Sequence, residues 1–181
     1  MSFRALLRPG LVALVLISLS PAQISSTPDV TVLPVPLVTV QRGKTAPLNL
    51  SFRIRSGLHV NSNKPMQEVL IPTTVSLSPP ADIVVGKLEY PPGAQMALPF
   101  MPEEKLSVYS GTFEVKGVVK TTTQAVSGTY RLRGQLRYQA CSDRQCFPPR
   151  TTAFYVDVKV VRGGSGGGHR SNPPQSPNIR G

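Results

Sequence analysis

Cys141 and Cys146 are the only cysteines in the 181-residue chain, separated by Ser142-Asp143-Arg144-Gln145. Thiol chemistry at this spacing takes three forms. A structural zinc site needs about four Cys or His ligands, commonly in paired clusters. Here the two cysteines have only His59, distant in sequence, and His169 in a Gly-rich tail, so the donor set is short. A structural staple is the second form. The loop-closure estimate for so small a ring is about 2.2 kcal/mol, against about 4.7 kcal/mol for a 100-residue loop, so a bridge here constrains little of the unfolded chain. The third form is a redox-active pair, which needs a reachable thiolate and a second sulfur near enough to resolve a mixed disulfide. A short turn meets both needs, and Arg137, Arg144 and Arg150 favour a thiolate if the fold brings them close. Cys-x4-Cys is neither the Cys-x-x-Cys pattern of thioredoxins nor a standard metal pattern. Spacing alone therefore leaves staple and redox pair both open.

Two alternating runs must position the pair. Val126 to Tyr138 sets Tyr130, Leu132, Leu136 and Tyr138 against Arg131, Arg133 and Arg137, with Gly134 expected as a bulge. Thr151 to Val161 sets Phe154, Val156, Val158 and Val160 against Tyr155, Asp157, Lys159 and Val161. The cysteines thus lie where one strand ends, turns over a polar tip and returns as the next. Upstream, Pro47 to Arg55 alternates Leu48, Leu50, Phe52 and Ile54 with Asn49, Ser51, Arg53 and Arg55, a strand with one buried face. Shorter β-type segments are expected at Thr31–Leu33, Leu37–Val40, Thr73–Leu77, Ile83–Tyr90 and Ser107–Val119. Gly57 to Pro65 reads as a turn-rich connection, with His59 a packed or hydrogen-bonded loop residue; the competing reading gives it a role near the cysteines. Ala94 to Lys105, including the acidic pair Glu103-Glu104, has no consistent period and reads as an irregular loop. Eight to ten strands at short spacing, 19 Pro, 15 Gly and no helical period predict an all-β antiparallel sandwich.

The ends have a different composition. Arg4 and Arg8, the apolar run Leu11–Leu19 and the small residues Ser20 and Ala22 lead to the expectation that residues 1–22 are a signal peptide. The nine-residue run would rise about 14 Å as a helix, short of a bilayer core of about 30 Å. No cysteine stands directly after it to carry a lipid. The mature chain is expected to be exported without a transmembrane segment, in a compartment that permits disulfides. Residues 23–162 make one domain, and the Gly- and Pro-rich residues 163–181 a disordered tail. The formal charge of +11 falls to +6 over residues 23–161, where 15 basic residues stand scattered among nine acidic ones. That pattern reads as a solvated sheet face. Nucleic-acid binding would need a clustered basic stripe or aromatic platforms, and a hydrolase would need a His or carboxylate constellation around its nucleophile.

Tyr138-Gln139-Ala140-Cys141, four residues, then Cys146-Phe147-Pro148-Pro149 resembles the active-site segment of the N-terminal periplasmic domain of the thiol:disulfide interchange protein DsbD. Gly57-Leu-His59-Val-Asn61-Ser62 and Ile71-Pro72-Thr73 are similar to the early part of single-domain relatives. The resemblance implies an immunoglobulin-like sandwich, expected to be monomeric and periplasmic. It would pass electrons from a thioredoxin-like donor to oxidised periplasmic partners. It also implies that Cys146 forms the mixed disulfide and Cys141 resolves it. No metal or organic cofactor is implied, because the electrons travel in the dithiol. A cap loop bearing an aromatic residue shields the family's disulfide. The matching region is Glu103 to Ser110, where Val108-Tyr109 stand in for the aromatic tip, with Glu103, Glu104 and Tyr138 as cap or supporting residues. Full-length DsbD continues into a membrane domain and a thioredoxin-like domain, whereas here a Gly-rich tail follows, so a separate protein is expected as donor. The rival reading is a secreted sandwich that binds another protein and uses its disulfide only to rigidify a hairpin tip.

Overall fold

The computed structural model describes residues 28–98 and 101–163. The expected signal peptide and, beyond Gly163, the expected tail lie outside them. The long alternating runs are strands and form the core of a sandwich. In the first sheet, β1 (Val30–Val32) pairs with β3 (Thr45–Ile54), β3 with β9 (Thr112–Thr121), and β9 with β6 (Ile83–Val85), all antiparallel. In the second, the order is β2 (Val38–Gln41), β12 (Arg150–Val161), β10 (Gly128–Tyr138) and β5 (Thr74–Ser78). Strand β10 is antiparallel to both β12 and β5. The pairing of β2 with β12 is parallel, an exception in an otherwise antiparallel fold. Pro47 sits in the part of β3 that only β9 pairs, so its missing N–H interrupts no second ladder.

The two sheets close over the predicted apolar faces. Leu48, Leu50, Phe52 and Ile54 of β3, Leu132 and Leu136 of β10, and Phe154, Val156, Val158 and Val160 of β12 are all buried. Phe52 stacks on Phe113 at 5.2 Å and meets Phe154 edge-on at 5.9 Å, joining β9 and β12 across the sandwich. Each such side chain contributes about 1.5–3 kcal/mol by leaving water, and an aromatic pair about 0.5–1.5 kcal/mol more. On the outer face of the second sheet, Arg131 is bound to Asp157 at 2.8 Å and lies over the Tyr155 ring. This is the solvated basic face that the charge pattern implies.

A third sheet stands beside the sandwich, in the order β11 (Ala140–Cys141), β4 (His59–Asn61), β8 (Met101–Ser110) and β7 (Ala94–Leu98). It corrects two sequence-based expectations. Gly57 to Pro65 is not wholly a connection, since it contributes β4. Of Ala94 to Lys105, residues 94–98 form β7 and residues 101–105 begin β8, two paired antiparallel strands where an irregular loop was expected. Gly111, at φ 64, lets the chain leave β8 and enter β9 of the first sheet through one residue.

Gly134 is no bulge. It keeps regular register with Phe154 on one side and Leu77 on the other. A Cβ there would overlap the Phe154 ring, so the glycine makes room for a core aromatic. Gly134→Ala is expected to destabilise the domain by about 1–3 kcal/mol through overpacking, read as a lower urea midpoint with an unchanged slope.

Candidate active site: the Cys141–Cys146 hairpin

The chain leaves β10 at Tyr138 and forms a small hairpin before β12 begins. The Phe147 N–H donates to the Ala140 carbonyl (2.8 Å), and the Ser142 N–H donates to the Gln145 carbonyl (2.8 Å). Ser142 Oγ accepts from the N–H groups of Arg144 and Gln145, each at 3.2 Å. A serine that bonds its own turn in this way holds the tip without a glycine. Between these two levels Cys141 and Cys146 face each other in an antiparallel bridge and are joined as a disulfide, with Cα atoms 3.9 Å apart. Because the backbone itself holds them at this distance, opening the bond leaves the two sulfurs close enough to reclose.

The two cysteines differ sharply in access. Cys141 has no exposed surface, whereas Cys146 is exposed. The cause is β11, which pairs Ala140 with Val60 and Cys141 with His59. All three residues of β4 are buried, so Cys141 lies against a strand covered on both faces. The returning arm, from Cys146 to Pro149, has no such neighbour in the third sheet and lies outermost.

Polar side chains fix the base of the hairpin. Asn61, fully buried, donates from Nδ2 to the Ile71 carbonyl (3.0 Å) and to Gln139 Oε1 (3.4 Å). Gln139 in turn donates from Nε2 to the Phe147 carbonyl at 3.2 Å. Thr73 Oγ1 donates to the Asn61 carbonyl at 2.6 Å. This relay ties the Tyr138-Gln139-Ala140-Cys141 motif and Phe147 to β4, and it explains why Asn61 and Thr73 belong with the cysteine motif. Tyr138, the first residue of the motif, is buried in the main core.

Of the three arginines near the pair in sequence, Arg150 is committed elsewhere: with Arg55 it binds the buried Asp29, at 3.4 Å and 2.9 Å. Arg137 and Arg144 are exposed.

The expected cap region, Glu103 to Ser110, is the strand β8. Glu103 is exposed, while the side chain of Glu104 lies outside what the structure describes. Val108 is buried with Leu106 in a small second core that also receives Leu70 and Met96. Tyr109 is not an exposed tip. It is buried, stacks on Phe113 at 4.7 Å, donates to Asn63 Oδ1 at 2.7 Å and accepts from the Asn63 N–H at 3.3 Å. Burial pushes its phenol above the usual range. The residue that the cysteines do gain is His59, opposite Cys141; its position was hidden because a three-residue strand buried on both faces shows no alternation. Two clefts, of about 480 and 500 Å³, flank Tyr90 to Pro92 and include neither cysteine.

The architecture and the site define an immunoglobulin-like β-sandwich that displays a short-loop disulfide at one end. The family described as thiol:disulfide interchange protein DsbD, N-terminal, matches residues 30–157, and the chain belongs to it. Among curated proteins, no sequence matches the chain. Similar solved structures include the DsbD N-terminal domain of Neisseria meningitidis, in a complex with the PilB N-terminal domain. It has 24% identity and a TM-score of 0.39 over 60% of this chain and 73% of that one. The N-terminal periplasmic domain of ScsB from Proteus mirabilis has 12% identity and a TM-score of 0.42 over 72% of this chain and 44% of that one. A type I cohesin from Pseudobacteroides cellulosolvens has 13% identity and a TM-score of 0.44 over 83% and 98%.

If Tyr109 braces β8 from within, Tyr109→Phe should lower stability by about 1–3 kcal/mol, because Asn63 loses its buried partner. The rate at which dithiothreitol reduces the disulfide should stay within about twofold. A cap residue would behave oppositely, with reduction accelerated and stability nearly unchanged.

Proposed function

We propose that the domain exchanges dithiol for disulfide with protein partners in the periplasm, taking electrons from a thioredoxin-like donor and passing them to oxidised proteins. The observation that carries this reading is the unequal access of the two sulfurs in one short loop. A donor thiolate attacks Cys146, the sulfur it can reach, and the S–S bond breaks with Cys141 as the leaving thiolate. A second donor thiol then attacks the mixed disulfide, which releases reduced Cys146 and leaves the donor oxidised. In the second half-reaction the Cys146 thiolate attacks an acceptor disulfide. Cys141 resolves the product, and two electrons and two protons reach the acceptor. Membership of the DsbD N-terminal family supports this direction of transfer and the periplasmic location. Among the described residues no helix is long and apolar enough to cross a membrane.

Replacing one cysteine at a time tests the roles. Cys141→Ser should accumulate a dithiothreitol-sensitive mixed disulfide with a thioredoxin-like protein, visible on non-reducing gels. Cys146→Ser should accumulate about tenfold less, because its remaining sulfur is buried. Equal trapping by both variants would contradict the assignment. No trapping by either would favour a binding module with a structural disulfide.

A further inference from the structure

His59 stands directly opposite Cys141 on one side of β4 and directly opposite Ser110 on the other. Residues opposed in this way in antiparallel strands project from the same sheet face, with Cβ atoms about 4.5–5.5 Å apart. Cys141 is itself opposite Cys146. Cys146, Cys141, His59 and Ser110 therefore make one row across four chain segments. The imidazole is buried, at 4% exposure, and its Nε2 has no hydrogen-bond partner among the described residues. Buried polar atoms are nearly always paired, and an unpaired one beside a reactive sulfur calls for a chemical reason. Opening the disulfide supplies one, since it creates a thiol or thiolate at Cys141, where water does not reach.

The surroundings suit proton transfer. A cleft of about 270 Å³ runs past Leu58, His59, Met96, Ala97, Ser110 and Asp143. Among the described residues, the titratable groups placed against His59 are Cys141, its register partner, and Asp143 of the hairpin turn, which lines the same cleft, with Cys146 one position further along the row. Ser110 of β8 and Met96 and Ala97 of β7 carry no charge. Burial holds the imidazole below its ordinary pKa, so it is neutral near pH 7 and open to a proton.

We propose that His59 is the proton acceptor for the resolving thiol, Cys141. This role rests on the exchange reading above. In a mixed disulfide between Cys146 and a partner, the Cys141 thiol gives its proton to His59 Nε2 as its sulfur attacks Cys146 Sγ. The Cys141–Cys146 bond forms while the Cys146–partner bond breaks, and the partner sulfur leaves with the electron pair as a thiolate. The imidazolium then returns its proton to solvent through the cleft. When a donor opens the disulfide the path runs in reverse: His59 takes a proton from solvent through the cleft and passes it to the Cys141 thiolate.

The resolving step can be timed directly. Reduced protein and one equivalent of 5,5′-dithiobis(2-nitrobenzoate) form a mixed disulfide at Cys146 with a first release of thionitrobenzoate. Attack by Cys141 then gives the second release, followed by stopped flow from pH 5 to 9. For the native chain the second rate should be nearly level above about pH 7 and fall below about pH 6, where the pair gains a second proton. In His59→Phe it should fall about tenfold or more at pH 7. It should then rise about tenfold per pH unit towards the ordinary thiol pKa of about 8.5 or above. His59→Gln, which keeps a polar group but no base, should show the same loss at an unchanged melting temperature, and it serves if His59→Phe does not fold. Rates within twofold of native with the same pH profile in the folded variants would overturn the role of His59 and leave the exchange reading intact. No second release from the native chain would overturn the exchange reading, and with it the role of His59.

Discussion

The two-residue ladder between Ala140-Cys141 and Val60-His59 is the contact on which the site depends. It is short, but it joins the cysteine hairpin to a strand buried on both faces. That one pairing makes the two sulfurs unequal, with Cys141 held inside and Cys146 left outside. Inequality is what thiol exchange requires, because one sulfur must meet the partner and the other must be kept for the second step. The Asn61–Gln139–Phe147 relay and the buried Tyr109 serve the same end by fixing β4 and β8 against the sandwich.

The sandwich and its side sheet divide the labour. The sandwich has a wide, alternating core with Phe52, Phe113 and Phe154 at its centre, and it supplies most of the apolar burial. Among the described residues, the side sheet has Leu106 and Val108 as a core of its own, with Leu70 and Met96 against them. A rigid body thus carries a lightly packed edge, and the disulfide sits where the two meet.

What could be read from the sequence follows from this division. The long strands β3, β10 and β12 each bury one face, so their alternation was visible and their buried residues were correctly anticipated. The cysteine turn was legible too, because two strand patterns converge on it. The side sheet was not. Strand β4 is too short and too buried to alternate, β7 is mostly exposed, and β8 opens on Met101-Pro102-Glu103-Glu104-Lys105 before its buried residues Leu106, Val108 and Tyr109, so neither shows a clear period. Tyr109 was read as a cap tip from the family resemblance, yet its ring is buried and its hydroxyl bonds Asn63, a partner that only the fold supplies. The parallel pairing of β2 with β12 joins residues far apart in the chain, and no local pattern encodes such a partner. Gly134 looked like a bulge because sequence alone cannot reveal the Phe154 ring packed against it.

The central claim is that the Cys141–Cys146 bond is made to open. Its reduction potential, measured by equilibration against a glutathione or dithiothreitol series, tests that claim most directly. The account predicts a value between about −180 and −270 mV, within the range of proteins that exchange disulfides. A value below about −300 mV would belong to a bond that cellular thiols leave closed. It would contradict the account and leave a stapled binding domain.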